Sequence, residues 1–392
     1  MRTFFSSSIV KMFVVGVTMI VAVILFSCAK TDNSTNPPVT STSPTVHAPL
    51  VSTAPTIDGD ASDGVWSAAT PTTVHMKPIA VPGNTLTNEF DVQVRAVHTT
   101  TDIYFLVSYP DADADEMPNK LVYMGGNISD TANWKNQDNG QDGFSFMWDL
   151  LIGGVAAHDG GGKFSDSSYG CTAACHAASS NPAPLESGMY PLKGGVDLWF
   201  WNAGTTNPQG YADDQFAVGS DSNGTGQDSR RCKDRSEQYF ALPIYSEAKH
   251  GYPDLMAGST NNNLDFKKFL WYSTAVSFDG TMNNPATSAP WTSGDVVPGW
   301  GCRIQSKLPG EADVRAKGVH SSIGWTIEWS RALTNSDADR DVQFDVTPKL
   351  YSFSISTHQN ARKFTSKEYE KRTNYQPEHY GCIPRRLVLS IE

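Results

Sequence analysis

The feature that most constrains the fold is a series of short segments in which polar and apolar residues alternate. Residues 91–96 have the sequence Asp-Val-Gln-Val-Arg-Ala, which is the pattern of a strand with one buried face. A turn at 99–102 and an apolar segment at 103–109 complete a predicted hairpin. Further strands are predicted at 143–151, 196–201, 270–278, 325–330, 342–346, 351–357 and 387–391. Because no long segment has the 3.6-residue period of a helix, the sequence predicts an all-β protein.

Long loops rich in Gly, Asn, Asp and Ser separate these strands, at 110–140, 152–190, 203–235 and 280–320. Loops of this length within a compact domain are usually functional or disordered. The 32 Gly, 23 Pro and 10 Trp among 392 residues also favour a loop-rich, aromatic β protein. We therefore expect one antiparallel β-sandwich whose function lies in long loop insertions, with two domains as the alternative.

The N-terminus has the pattern of a secretory signal. Arg2 and Lys11 precede an apolar run at 12–26, which is short for a membrane-spanning helix. The run ends in Leu-Phe-Ser-Cys at 25–28, and this resembles the bacterial lipobox, in which cleavage precedes the Cys and its thiol is acylated. Cys28 is therefore the predicted lipidation site, and an uncleaved anchor is the alternative.

The N-terminal sequence predicts three regions of the chain and its location in the cell. Residues 1–27 are a lipoprotein signal peptide, 28–54 a flexible Ser/Thr/Pro tether that cannot offset its ordering entropy, and 55–392 the folded domain. The protein is expected in the bacterial cell envelope, held to the membrane by its lipid. Residue 29 is Ala rather than Asp, which favours the outer membrane, on its periplasmic or surface side.

Charge and motif content exclude several functions. A net charge of −11 argues against nucleic acid as a partner, because phosphate binding needs Lys and Arg. No G-x-S-x-G elbow, P-loop or dinucleotide fingerprint is present in the sequence, so we expect no catalytic activity. The acidic segments 111–116 and 337–341 lack EF-hand spacing, and solvated turns are expected there, with calcium loops as the alternative.

A cysteine–histidine motif carries the strongest indication of function. A c-type haem needs two thiols for its vinyl groups and a His beside the second thiol to ligate the iron. Cys171, Cys175 and His176 supply these groups, with one residue more than the usual C-x-x-C-H spacing. A local disulfide, half of a zinc site or free thiols are the alternatives. Of the other cysteines (Cys232, Cys302 and Cys382), the last two are the first choice for a disulfide.

Several further motifs, one before this one and the others after it, give the chain a resemblance to a known family by their order. They comprise Thr-Ile-Asp-Gly at 56–59, Asp-Leu-Trp-Phe-Trp at 197–201, Asn-Pro-Gln-Gly-Tyr-Ala-Asp-Asp-Gln at 207–215, Trp-Thr-Ile-Glu-Trp at 325–329, Arg-Ala-Leu at 331–333 and Asp-Val-Gln-Phe at 341–344. Over residues 55–392 the chain resembles the ethylbenzene dehydrogenase γ-subunit-like, or cytochrome c-552/dimethylsulfoxide-reductase-type, haem-binding domain family. The resemblance implies a sandwich like that of carbohydrate-binding module family 9, a bound haem and a redox partner, either a molybdenum oxidoreductase or another cytochrome.

The resemblance also implies which residues ligate the haem, but the chain differs from the family at two positions. Where the family commonly has His and Lys, this chain has Phe200 and Asn202, so the Lys ligand that holds a non-covalent b-type haem in γ-subunits is not carried over. His176 is the expected proximal ligand. Met189, which matches the family's Met-Tyr step, is the first choice for the distal ligand. The alternatives are His158, Met147 or an open position, and a b-type haem stays open beside the c-type.

Trp199 and Trp201 lie on one face of a predicted strand. They are predicted to line the haem pocket, with a platform for a sugar ring or the sandwich core as alternatives. The sequence thus favours a haem-binding electron-transfer lipoprotein. A carbohydrate-binding surface lipoprotein without haem, in which Cys171 and Cys175 form a disulfide, is the alternative function.

Overall fold

The computed structural model describes a β protein. The described residues are 43–78, 86–137, 140–152, 155–156, 195–218, 230–233, 241–243, 253, 255–257, 270–271, 275–278, 280–302, 313–337, 341–344, 350–361, 379–383 and 387–392. The chain divides after Thr35 into two units, and all described residues belong to the second, Asn36–Glu392. None of the described residues is in an α-helix, and no helix among them is long and apolar enough to cross a membrane.

The described residues form twenty-two strands and three short 3-10 helices. The strands are β1 Thr45–Ala48, β2 Thr72–Pro78, β3 Phe90–His98, β4 Asp102–Tyr109, β5 Leu121–Tyr123, β6 Trp134–Asn136, β7 Gln141–Ile152, β8 Val155–Ala156, β9 Gly195–Asn202, β10 Asp213–Val218, β11 Arg230–Lys233, β12 Ala241–Pro243, β13 Leu255–Ala257, β14 Leu270–Trp271, β15 Ala275–Ser277, β16 Val296–Val297, β17 Trp300–Cys302, β18 Arg315–Ser321, β19 Gly324–Ala332, β20 Leu350–Ala361, β21 His379–Ile383 and β22 Leu387–Ile391. The 3-10 helices are Gly64–Ala68, Thr131–Asn133 and Asn207–Gln209.

One sheet of fourteen strands dominates the fold. Its order is β11-β10-β9-β7-β20-β21-β2-β3-β4-β19-β18, with β1, β8 and β22 paired beside this path. Neighbours are antiparallel, except that β1 and β22 run parallel. Four strands separate β7 from β4 in this order, yet Phe105 on β4 lies 5.0 Å from Phe146 and 5.5 Å from Trp148 on β7, between ring centroids. The sheet must therefore fold back so that its two halves pack face to face, which confirms the antiparallel β-sandwich.

Aromatic residues fill the space between the two halves. Phe146, Trp148 and Trp199 are fully buried, and Phe344 and Phe353 pack against the same group. Rings of this size bury more apolar area than any other side chains and prefer the tilted and edge-to-face contacts that occur here. The core therefore lies directly beneath β7 and β9, the two strands that flank the insertion containing the cysteine–histidine motif.

Most predicted strands are confirmed. The hairpin at 91–109 is β3–β4, and the strands predicted at 143–151, 196–201, 325–330, 351–357 and 387–391 lie within β7, β9, β19, β20 and β22. The segment 270–278 contains two separate short strands, β14 and β15.

The strand predicted at 342–346 is wrong for its described residues, because 341–344 have no strand conformation. The Val342 amide donates to Asp197 Oδ2 at 2.9 Å, and the Val342 carbonyl accepts from Arg331 Nη1 at 2.7 Å. Side chains thus satisfy the backbone groups that a ladder would have used.

Two segments predicted as loops contain strands that pair with each other. β5 and β6 come from 110–140 and β16 from 280–320, and together they form a three-stranded sheet. Trp134 lies 5.0 Å from Trp291 across a small second core. These insertions are therefore packed structures in the part of the chain that is described.

Candidate functional site

The predicted haem motif lies between two paired strands. Its predicted residues, Cys171, Cys175, His176, Met189 and the alternative ligand His158, fall in the segment 157–194 and outside the described residues, as does Cys28. The strands before and after this segment are described: β8 turns back on β7, and Leu150 of β7 pairs with Gly195 of β9. The segment therefore begins and ends at neighbouring strands on one end of the sheet.

We call this end of the sheet the insertion end, defined by the paired residues Leu150, Gly195 and Val218. Val218 also pairs with Arg230, so the connection 219–229 departs from the same end. The registers thus bring two long connections of the sequence to one end of β7, β9, β10 and β11.

Trp199 and Trp201 are both fully buried. Trp199 lies 5.2 Å from the Trp148 ring, and Trp201 meets Trp325 edge to face at 5.0 Å. Both therefore belong to the sandwich core, and neither offers an open face on which a sugar ring could stack. Their predicted role beside a haem stays a prediction.

Met147, an alternative distal ligand, and the two positions where the chain departs from the family's His and Lys lie among the described residues. Met147 is buried on β7 and alternates with Phe146 and Trp148, so it points to the opposite face of that strand. Phe200 lies 5.0 Å from His358, edge to face. Asn202, where the family has Lys, ends β9, about 23 Å along the strand from Gly195. The family's Lys position is therefore far from the insertion end.

A buried charge cluster lies close to the insertion end, and we call it the Arg331 cluster. Arg331 on β19 is fully buried, with Nη2 3.1 Å from Asp341 Oδ2. Nη1 is 3.5 Å from Asp197 Oδ2, and Nε is 3.6 Å from Asp313 Oδ2. The guanidinium also lies over the Trp199 ring, 5.4 Å from its centroid, an arrangement that favours a cation. One buried cation therefore serves several carboxylates.

The charges of the Arg331 cluster shift one another's pKa. Burial raises the pKa of Asp197 to about 7, since the attraction of Arg331 does not compensate for lost hydration and Asp341 adds repulsion. Burial lowers the pKa of Arg331, but the charges of Asp197, Asp214, Asp313 and Asp341 outweigh it and raise that pKa above its usual value. Arg331 therefore stays charged among these carboxylates.

Sequence reasoning missed this cluster. Asp341 was expected in a solvated turn, which is wrong, because its side chain is fully buried. Four of its members, Asp197, Asp214, Arg331 and Asp341, lie within motifs that carry the family resemblance. In the sequence, Asp197, Asp214 and Asp341 each precede a Trp or Phe by two or three positions, and this was the available signal of burial.

The Asn-Pro-Gln-Gly motif has a structural role. The Asn207 side chain donates to the Gly318 carbonyl at 3.0 Å and accepts from the Gly318 amide at 2.8 Å. Gly210, in the left-handed region at φ +76°, ends the 3-10 helix. A Cβ on Gly318 would overlap Cζ2 of Trp201. This motif therefore joins β18 to the turn after β9 and requires Gly at 318.

The Thr-Ile-Asp-Gly motif is held by Glu328 on β19. Its Oε2 accepts from the backbone amides of Asp58 at 3.0 Å and Gly59 at 2.9 Å, and its Oε1 accepts from Trp66 Nε1 at 2.8 Å. Burial raises the pKa of Glu328, although these three donors lower it. One carboxylate thus anchors the chain segment before β2 to the sandwich.

A cleft of about 380 Å³ lies at the other end of β9 and β18. Its wall includes Glu116, Ala203, Asn207, Lys317 and His320. Lys317 Nζ donates to the Asn207 carbonyl, and His320 Nε2 lies 3.0 Å from the Asp111 carbonyl. The Lys317 and His320 side chains of this cleft therefore already contact backbone carbonyls.

For the three cysteines outside the motif, the structure describes only the backbone. Cys232 lies on β11, Cys302 on β17 and Cys382 on β21. Their side chains fall outside the described part of the chain, so the disulfide between Cys302 and Cys382 stays a prediction.

Comparison with solved structures finds carbohydrate-binding proteins at low similarity. A family 9 carbohydrate-binding module from Caldicellulosiruptor kristjanssonii, in complex with glucose, is 7% identical, with a TM-score of 0.31 over 89% of this chain and 95% of that chain. The same module with cellotriose gives 7% identity and a TM-score of 0.31 over 88% and 92%. A putative carbohydrate-binding protein from Bacteroides uniformis gives 8% and 0.33 over 89% and 100%. TM-scores this low do not support a functional assignment.

Comparison with protein families gives a definite result. A search of curated proteins finds no match. The family model described as ethylbenzene dehydrogenase matches residues 63–370, which is well over half of the chain. The match includes the Arg331 cluster, the Asn207–Gly318 contact and the segment 157–194 with its cysteine–histidine motif. The chain therefore belongs to the ethylbenzene dehydrogenase family.

Proposed function

We propose that this protein is a haem-binding electron-transfer lipoprotein and does not itself transform a substrate. The observation that carries the proposal is the Cys171, Cys175 and His176 motif, which occurs inside the region matched to the ethylbenzene dehydrogenase family. The bound haem would supply one-electron oxidation and reduction. The two thiols would hold it through thioether bonds, and His176 would ligate the iron.

The strands on both sides of the motif and the core beneath them support this proposal. Both ends of the motif-bearing segment attach to paired strands, β8 to β7 and β7 to β9. Beneath these strands lies a tightly packed aromatic core, with Phe146 and Trp148 stacked at 5.7 Å. A rigid base of this kind limits the rearrangement of groups around a redox centre. Met189 is the first choice for the distal ligand and His158 the alternative.

The proposal extends to partner and location. An acyl chain on Cys28 would anchor the protein to the outer membrane, and the tether at 28–54 would give the domain reach. The net charge of −11 favours a redox partner with a basic surface, because complementary charge increases encounter rates. A molybdenum oxidoreductase or another cytochrome is the expected class of partner.

The carbohydrate-binding alternative has lost its main support in the described residues. It relied on Trp199 and Trp201 as a stacking platform, and both rings are fully buried. A b-type haem remains the closer alternative, since it needs ligands but no thioether bonds.

The test measures whether haem stays on the chain. Mature protein from a host with cytochrome c maturation factors would be extracted with acidified acetone, and its reduced pyridine haemochrome spectrum and intact mass recorded. We expect about one covalent haem per chain, by the chemistry of the motif. The double variant Cys171→Ala/Cys175→Ala should lose it, whereas the matched control Cys232→Ala, on β11 outside the motif, should keep it.

Other outcomes distinguish the alternatives. Haem that the solvent removes from the wild type would replace the c-type proposal with a b-type site. Protein without haem in every preparation would overturn the electron-transfer proposal, and glycan retardation on an affinity gel would then favour carbohydrate binding.

A further inference from the structure

We propose that the side of the β18–β19 hairpin that faces away from the core is a docking surface for a partner protein with a lysine-rich face. Val319 on β18 alternates with Gly318, where a Cβ would meet Trp201 of the core, so Val319 lies on the opposite face. Val319 is 46% exposed, and Ile323, in the turn after β18, is 80% exposed. Single exposed apolar side chains are common on proteins, so the surroundings of these two residues decide what they do.

Acidic residues border Val319 on two sides. On one side Val319 Cγ2 lies against Gly59, where a Cβ would approach it to 2.7 Å. The neighbours of Gly59 in the chain are Asp58 and Asp60, and both are exposed. On the other side Val319 shares the wall of the cleft of about 380 Å³ with Glu116. The exposed apolar side chain thus lies between two groups of carboxylates.

The acidic segment 111–116 is fixed against its neighbours. At one end His320 Nε2, on the hairpin, lies 3.0 Å from the Asp111 carbonyl oxygen. At the other end the turn after β9 approaches so closely that a Cβ on Gly204 would lie 2.2 Å from the Glu116 carbonyl oxygen. A surface that is ordered before binding loses less conformational entropy when a partner docks. The segment is therefore preorganised beside the exposed apolar side chains.

The charges of this surface identify a basic partner. The acidic side chains beside Val319 and Ile323 are those of Asp58, Asp60, Asp111, Asp113, Asp115 and Glu116. The basic side chains nearby are Arg315 and Lys317 on β18 and Lys120, which faces Asp115. Carboxylates thus outnumber cations. Apolar residues with an acidic rim attract a lysine-rich protein surface and repel the anionic headgroups of a membrane.

The inference rests on the proposed function only in its choice of a redox protein as the occupant. A redox partner with a basic surface is the class expected above, and this surface gives that partner a place to bind. Every residue of the surface belongs to the described part of the chain, and none lies in the segment 157–194. The surface should therefore form whether or not haem is attached.

The experiment measures binding of soluble mitochondrial cytochrome c, a lysine-rich protein, to the full mature chain by calorimetric titration. We expect binding at about 20 mM salt that weakens at least about tenfold at about 200 mM salt, because screening reduces the attraction. The double variant Asp60→Asn/Glu116→Gln, which changes one carboxylate on each side of Val319, should bind about tenfold more weakly. Ile323→Ser should have an effect of about the same size, because it removes the apolar contact. Carbodiimide cross-linking and peptide mass mapping should place the contacts at the carboxylates of this surface.

A matched control makes the same change in charge at a different place. Asp102 begins β4, about 23 Å along the strand from Tyr109. Glu392 is close to it, since the Glu392 carbonyl lies 2.8 Å from His98 Nε2 and His98 pairs with Ile103. Asp102→Asn/Glu392→Gln should therefore bind the cytochrome within about threefold of the wild type.

Three results would overturn the proposal. The first is a wild type whose Kd for the cytochrome exceeds about 1 mM at low salt. The second is equal binding by the control pair, Asp60→Asn/Glu116→Gln and Ile323→Ser, since the net charge of −11 would then account for binding. The third is binding to vesicles of phosphatidylcholine and phosphatidylglycerol that needs Ile323, without binding to the cytochrome. The titration measures association rather than electron flow, so a chain without haem would leave the result unchanged.

Discussion

Asp197 should make the stability of this protein fall as the pH rises. Its pKa is about 7 in the folded state, against an ordinary value near 3.8. The folded state therefore holds a proton that the unfolded state releases. The stabilisation is fully present below about pH 4 and is lost as the pH rises to about 7. Three pKa units at 1.36 kcal/mol each amount to about 4 kcal/mol.

Urea unfolding in chelator, followed by Trp fluorescence between pH 4.5 and 8, would measure this loss. Asp197→Asn imitates the protonated side chain, and its amide oxygen can still accept from Val342. The variant should therefore lose less stability than the wild type as the pH rises, by up to about 4 kcal/mol. Asp113→Asn, at an exposed site, should behave like the wild type.

Two results would refute the reasoning. The first is a wild type that is equally stable at pH 5 and pH 8 in chelator. The second is an Asp197→Asn variant with the same pH dependence as the wild type, since the proton would then bind elsewhere.

Two packing contacts give further predictions. Gly318→Ala places a methyl group against Cζ2 of Trp201 and should lower the free energy of unfolding in urea by about 1–3 kcal/mol. The double variant with Trp201→Phe should recover part of this stability. Strictly additive effects of the two substitutions would contradict the contact. Glu328→Ala removes the acceptor of the Asp58, Gly59 and Trp66 donors and should cost about 3 kcal/mol or more. The exposed control Glu89→Ala should stay within about 0.5 kcal/mol of the wild type.

The strands were predictable because their pattern is local. Alternation at 91–96 shows which side chains face inward, and β3 has buried Val92, Val94 and Ala96 on one face. Apolar and polar residues alternate in the same way at 342–346. There, however, the Val342 amide donates to Asp197 and the Val342 carbonyl accepts from Arg331. Arg331 is 11 residues from Val342 and Asp197 is 145 residues away, so the alternation at 342–346 contains neither partner.

The environment of the site residues depended on long-range packing. Alternation correctly places Trp199 and Trp201 on one face of β9, yet it does not say what that face meets. The sheet folds back, so Phe105 and Trp325 cover the two rings. Asp341 has acidic neighbours typical of a surface turn, but its buried carboxylate is in contact with Arg331 and accepts from the Asn335 side chain.

The motifs that identify the family and the motif that would hold haem have separate roles in the chain. Glu328, Asn207, Asp197 and Arg331 hold segments of the sandwich together through hydrogen bonds and ion pairs. None of these contacts requires a particular residue at 157–194. These scaffold contacts are therefore separate from the haem that we propose for the insertion. Asn202 in place of the family's Lys fits this view, because a haem held from Cys171 and Cys175 needs no ligand at the far end of β9.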